Sequence, residues 1–159
     1  MTYHKDVGEV SARYFPPDAV EQITMRSGTV ARFIAPGSAT EGRYGVYEWN
    51  MLGQTGGATP HFHKTFSESF YVMSGTVGLY DGARCVDASP GDFLYVPEGG
   101  VHGFRNDRDE PASMLILFAP GATREDYFRE LAEIGRTGRT MTEDEWTAFL
   151  AAHDQYDAS

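Results

Sequence analysis

A single cysteine, Cys85, stands among the 159 residues, so no intrachain disulfide can form and no Cys-x-x-Cys metal or redox site exists. Cys85 itself is expected to be a small apolar strand residue. No apolar run approaches the roughly 20 residues that span a bilayer, and the opening Met1-Thr2-Tyr3-His4-Lys5-Asp6 lacks the basic and apolar regions of a signal peptide. These absences predict a cytoplasmic protein with no membrane partner. Positive charge is scarce as well: 13 Lys and Arg face 23 Asp and Glu, for a net charge of −10, and no basic cluster interrupts that field. Such a surface repels phosphate backbones, which excludes nucleic acid as a partner. No fixed-period repeat or low-complexity tract forces a solenoid or a linker.

What is present suits a globular chain. Hydrophobic residues make up 41% and charged residues 23%, and the length suits one domain over residues 1–159. Val7–Tyr14 has apolar residues at 7, 10 and 14, compatible with one or two helical turns before Pro16-Pro17. Gln22–Arg26 and Thr29–Ala35 flank Ser27-Gly28 as a hairpin. In Arg43–Leu52, Tyr47, Trp49 and Met51 share one strand face. That face is expected in the core, since burying Glu48 unpaired is costly; the reverse register would bring Glu48 and Asn50 toward the histidines discussed next. Asp81-Gly82 predicts a two-residue type I′ hairpin between Thr76–Tyr80 and Ala83–Asp87. Asp92–Val96 and Val101–Asn106 read as the next strand pair, and the apolar run Met114–Ala119 reads as a strand buried on both faces. The strand-rich part covers about residues 21–120.

Beyond Pro120-Gly121 the periodicity becomes helical, giving two C-terminal helices within about 123–152. Thr123 opens the first and Gly135 is expected to stop it. Thr142-x-x-Glu145 forms a capping box for the second, whose stripe Trp146, Phe149 and Leu150 is expected to pack on the core rather than line a cofactor site. His4 and His153 are expected at the surface.

The chemistry concentrates in the 46 residues from His61 to Asn106. In an extended strand His61 and His63 project from one face while Phe62 turns away. Glu68 heads a strand whose Phe70 and Val72 share its face, and His102 shares a face with Phe104 and Asn106. Three neutral imidazoles and a carboxylate are ligands for one divalent transition metal ion, with bonds of roughly 2.0–2.2 Å; the set does not choose among Fe, Ni, Mn, Co, Cu and Zn.

The spacing of these residues resembles the two motifs of the cupin superfamily. The second motif fits at every fixed position: Gly91, Pro97, Gly99, His102 and Asn106. The first fits through His61, His63, Glu68 and Gly75, but Thr55 stands where the family pattern has a glycine, with Gly56 and Gly57 beside it. The resemblance implies an all-β cupin jelly-roll β-barrel, followed here by the two helices, with His61, His63, Glu68 and His102 as metal ligands. Three histidines with one glutamate leave one or two coordination positions open, as catalytic sites do. Phe70, Val72, Phe104, Met114 and Ile116 are expected to wall a pocket for a small, aromatic substrate.

Cupins carry out many reactions, so the fold does not fix one. The chain looks most like quercetinase-type dioxygenases, and the resemblance then implies that Glu68 is the catalytic base that takes the proton of a substrate hydroxyl before O₂ attacks. The related polyketide-tailoring cupins imply a redox-neutral cyclase or isomerase instead, and a non-catalytic metal and small-molecule binding module is the third reading. Small cupins commonly pair, which together with exposed sheet edges and the apolar surface of the two C-terminal helices predicts a homodimer.

Overall fold

Strict alternation along one strand decides which side of the main sheet is inside. A computed structural model of the chain describes residues 2–159. In β3 (Gly45–Met51) Tyr47, Trp49 and Met51 are buried, while Glu48 and Asn50 on the other face are only partly covered. The Glu48 carboxylate accepts hydrogen bonds from Arg32 at 2.8 Å and from the Asn50 amide at 2.9 Å, so its charge is paired at the surface. β3 lies in a six-stranded antiparallel sheet with β1 (Gln22–Thr24), β2 (Val30–Ala35), β5 (Ser67–Ser74), β8 (Phe93–Val96) and β10 (Ala112–Ala119), in the order β1-β2-β3-β10-β5-β8. The second wall contains β6 (Val77–Tyr80), β7 (Cys85–Ala88) and β9 (Gly103–Arg105), in the order β7-β6-β9. A bridge between His61 and His102 continues that wall to β4 (His61–Phe62), which pairs with the C-terminal β11 (Tyr156–Asp157). The result is a jelly roll, mostly β with two helices.

Four local expectations change. Residues 7–14 form no helix and are exposed, because their apolar side chains have no facing layer to bury them; the only helical turn nearby is a 3₁₀ turn at Pro17–Ala19. The hairpin between β6 and β7 has four loop residues rather than two, since the Asp81 carboxylate accepts from the amides of both Ala83 and Arg84. β8 and β9 are not partners: β8 pairs with β5 and β9 with β6, so the Pro97–Gly100 turn carries the chain from one wall to the other. In β10 only alternate residues are buried, among them Met114, Ile116 and Phe118, and Leu117 is 37% exposed on the outer face.

The two helices close one end of the roll. α1 (Arg124–Thr137) lays Tyr127 and Phe128 on the core, where Phe128 meets Tyr47 edge-on at 5.1 Å and Trp49 at 5.2 Å between ring centroids. Burying such a ring stabilises by about 2–3 kcal/mol. The helix does not stop at Gly135, which lies within it beside Arg26; it ends at Gly138, whose left-handed φ of +65° suits glycine. α2 (Glu143–Ala152) begins with the Thr142/Glu145 capping box, both hydrogen bonds being present.

A candidate metal centre

His61 and His102 exchange both backbone hydrogen bonds at 2.9 Å, which sets two ligand candidates directly opposite each other. Two residues on, His63 returns to the same face, its ring 4.9 Å from that of His61 and 5.3 Å from that of His102. Glu68 arrives from the other wall, on β5, between Phe118 of β10 and Val96 of β8. One ligand atom from each of His61, His63, Glu68 and His102 lies within 4.8 Å of all the others, and all four side chains are buried.

Each ring is held by its far nitrogen. Nδ1 of His61 faces the Thr59 carbonyl at 2.7 Å, that of His63 the Asp154 carbonyl at 2.6 Å, and that of His102 the Gly100 carbonyl at 3.0 Å. A carbonyl can only accept, so Nδ1 carries the proton and Nε2 is left as a lone pair aimed at the centre, the tautomer that metal-binding histidines require. Nε2 of His63 and of His102 stand 3.0 and 2.8 Å from the same Glu68 Oε2. Those contacts are repulsive unless a proton or a cation lies between the atoms, and a divalent metal ion meets that demand for all four donors at once. The donor set therefore fits a transition metal.

Charge preferences agree. Burial, reinforced by the neighbouring His102, pushes the pKa of His61 down to about 4, which keeps this imidazole neutral at neutral pH. Burial pushes the Glu68 carboxyl up, but the contacts with His102 and His63, once a positive charge lies between the atoms, outweigh it and hold the group well below the usual carboxylate range. For His102, too, burial pushes down, and the Glu68 carboxylate more than reverses it. The site is an anion surrounded by groups that favour a cation.

His61 and Glu68 open onto a cavity of about 510 Å³ lined mainly by aromatic and aliphatic side chains. Of the expected pocket walls, Phe104 and Ile116 line it, whereas Phe70, Val72 and Met114 are wholly buried in the core and are not among its lining residues. The other side of the cavity comes from the helices: Arg124, Tyr127, Phe128 and Leu131 of α1, Trp146 and Leu150 of α2, and Gln155. The α2 stripe is thus divided, with Trp146 and Leu150 facing the cavity and Phe149 stacked on Tyr127 at 5.7 Å. His153 is not at the surface: it packs between Phe149 and Tyr127, with its side chain 14% exposed. His4 is exposed.

Thr55 pairs with Asn106, and the close approach falls two residues later, where a Cβ on Gly57 would come within 2.2 Å of the Phe104 carbonyl oxygen. Sequence reasoning missed Asp154 and Arg124. The Asp154 carboxylate accepts from the amides of Lys64 and Thr65 and from the Thr65 hydroxyl, so the C-terminal segment fastens the loop that carries His63. One signal was available for Arg124: it falls in register with Tyr127, Phe128 and Leu131 on the apolar face of α1, where a charge is out of place.

The family described as Cupin domain matches residues 47–118. That match covers 72 of the 159 residues. Over 73 residues, 46% of the chain, it is 33% identical to quercetin 2,3-dioxygenase of Bacillus subtilis, and the match covers 21% of that protein. The chain thus spans about a fifth of the length of this curated relative. Among solved structures, the sugar phosphate isomerase of the cupin superfamily from Silicibacter pomeroyi is similar at a TM-score of 0.58 and 22% identity, over 67% of this chain and 75% of that one. The polyketide cyclase RemF from Streptomyces resistomycificus gives 0.57 and 21%, over 68% and 79%. At those identities the likeness shows the fold. Among the described residues no helix is long and apolar enough to cross a membrane.

Proposed function

We propose that this cupin is a metal-dependent dioxygenase of the quercetinase type, acting on a flat aromatic molecule that presents a hydroxyl to the centre. The observation that carries the reading is the position of Glu68, a buried carboxylate in contact with two imidazoles that also faces an aromatic-lined cavity. His61, His63, Glu68 and His102 would hold the metal, which when bound supplies Lewis acidity and, if redox-active, electron exchange with dioxygen. Trp49, Phe104 and Phe118 offer faces for a planar ring and keep bulk water away. Glu68 receives the hydroxyl proton, and the low dielectric of the pocket strengthens its pull on that proton. The sequence relation to a quercetin 2,3-dioxygenase supports the reaction class.

Oxygen uptake by metal-loaded protein with a flavonol is the test. Stoichiometric uptake supports the dioxygenase. Conversion of a polyketide-like enol without uptake would assign the redox-neutral cyclase or isomerase, and saturable binding without turnover a binding module. Glu68→Gln keeps one oxygen donor but removes the base, so it is expected to lower turnover per bound metal at least tenfold. A loss of less than about threefold, under ~1 kcal/mol, would reject Glu68 as base.

A homodimer belongs to the same reading. The outer face of the large sheet carries neighbouring rows Phe93, Tyr71, Leu115 and Tyr95, Ser69, Leu117, with Phe93 63% and Tyr95 59% exposed. Such a patch favours a partner surface. Light scattering is expected to give about twice the 17.6 kDa of one chain.

A further inference from the structure

The charges lining the cavity are opposite to those of the chain. Acidic residues outnumber basic ones 23 to 13 overall, yet the lining contains Arg26, Arg124 and Arg139 against a single carboxylate, Glu68. Arg26 and Arg139 are exposed, and Arg139 is partly neutralised by Glu145 at 3.3 Å. Arg124 is different. It is 4% exposed, its Nη1 donates to the His153 carbonyl at 2.9 Å and its Nη2 to Gln155 Oε1 at 3.1 Å, while Nε is buried with no partner. Tyr127 lies under the guanidinium, 4.0 Å from its ring centroid to Cζ. Among the described residues no carboxylate forms an ion pair with it.

A buried arginine with only neutral partners is costly, because the guanidinium stays charged and its hydration is not replaced by an opposite charge. Glu68 cannot serve as that charge, being engaged by His63 and His102 and, once a divalent ion is held, outweighed by it. The cavity then presents two positive centres, the ion that Glu68 would help to hold and Arg124, among aromatic walls that include Phe118. The complement is an anion on a hydrophobic frame, recognised by the planar fork of the guanidinium as oxyanions generally are.

We propose that the cavity selects aromatic ligands bearing a carboxylate, and that Arg124 is the residue that holds this group. The inference rests on the metal-centre reading for what the other end of the ligand meets, and it does not depend on the reaction. Arg26 at the mouth adds a local positive field that offsets the net charge of −10 as an anion enters.

The test compares 2-naphthoate with its neutral isostere 2-naphthamide by calorimetry on metal-loaded protein. Both tryptophans of the chain, Trp49 and Trp146, line the cavity, so a change in their emission reports that binding occurs there. Naphthoate is expected to bind at least about tenfold more tightly, and Arg124→Gln to reduce that preference to less than about twofold at unchanged metal content. Arg124→Lys keeps the charge without the fork and is expected to weaken naphthoate at least about threefold, leaving naphthamide unchanged; it carries the test if the Gln variant does not fold. Equal affinity of the two probes for the parent protein, binding of neither, a preference that survives in a folded Gln variant, or one undiminished in the Lys variant overturns the proposal. A failed oxygen-uptake assay alongside an intact naphthoate preference would count against the dioxygenase reading and leave this one standing.

Discussion

The strand-built candidate metal centre and the helical cap that faces it position their polar groups by different means. At the centre every imidazole is anchored by a backbone carbonyl, from Thr59, Asp154 or Gly100, so the arrangement depends on main-chain geometry more than on the identity of neighbouring side chains. On the cap, Arg124 is held by a side-chain amide, one carbonyl and an aromatic face, all from residues 123–155. Two of the three anchors, Thr59 and Gly100, belong to the roll, whereas Asp154 and all of Arg124's partners belong to the C-terminal segment. On the proposed reading, reaction potential resides in the roll and ligand choice in the cap, with Asp154 as the joint between them.

The comparison can be broken first by removing the cap. A chain ended at Ala122 loses α1, α2 and β11 and uncovers Tyr47, Trp49 and Phe118; it is expected to show no cooperative thermal transition by circular dichroism, since the exposed rings alone represent more than about 5 kcal/mol. Asp154→Ala is the next largest effect. It removes the carboxylate that fastens Lys64 and Thr65, and is expected to cost about 2 kcal/mol in denaturant unfolding and to weaken metal binding roughly tenfold as His63 loosens.

Tyr47→Phe sharpens the contact between roll and cap. Its hydroxyl donates to Glu125 at 2.9 Å, and although burial pushes that carboxyl up, hydrogen bonds from its own backbone, Ser38 and Tyr47 bring it below the usual range. A carboxyl lowered on folding adds stability above its unfolded pKa of about 4.3, and that stability is lost as pH falls through the folded value. The variant is expected to be about 1–2 kcal/mol less stable at pH 7, the gap narrowing on acidification in melting curves recorded across pH. Trp146→Ala should be the mildest, below about 1 kcal/mol in stability because the ring is only partly buried, while the affinity of aromatic ligands measured by calorimetry falls severalfold.

The clustering of the candidate ligands was legible because period-two alternation puts His61 and His63 on one side whatever else the strands do, and Tyr47, Trp49 and Met51 obeyed the same rule. Long-range pairing was not legible. Nothing local in Phe93–Val96 states that it joins β5 rather than its sequence neighbour, because that choice is made by the wall to which each strand is recruited. The half-exposed outer face of β10 was missed for a related reason: an unbroken apolar run reads the same whether a second layer covers it or not. Phe70, Val72 and Met114 share faces with the ligands, but a shared face does not separate cavity wall from packed core, a distinction set by where α1 and α2 leave space. Arg124 was hidden because its partners, His153 and Gln155, lie about thirty residues away in the chain.

The most direct test of the central claim is metal stoichiometry measured by elemental analysis on chelator-treated protein reloaded with Co²⁺ and freed of excess ion. One ion per chain is expected for the parent protein and for His4→Ala, and less than a tenth of that for the double variant His61→Ala with His63→Ala, all three remaining folded. Equal cobalt in the double variant and the parent, or no retained cobalt in the parent, would contradict the assignment of His61, His63, Glu68 and His102 as one metal centre.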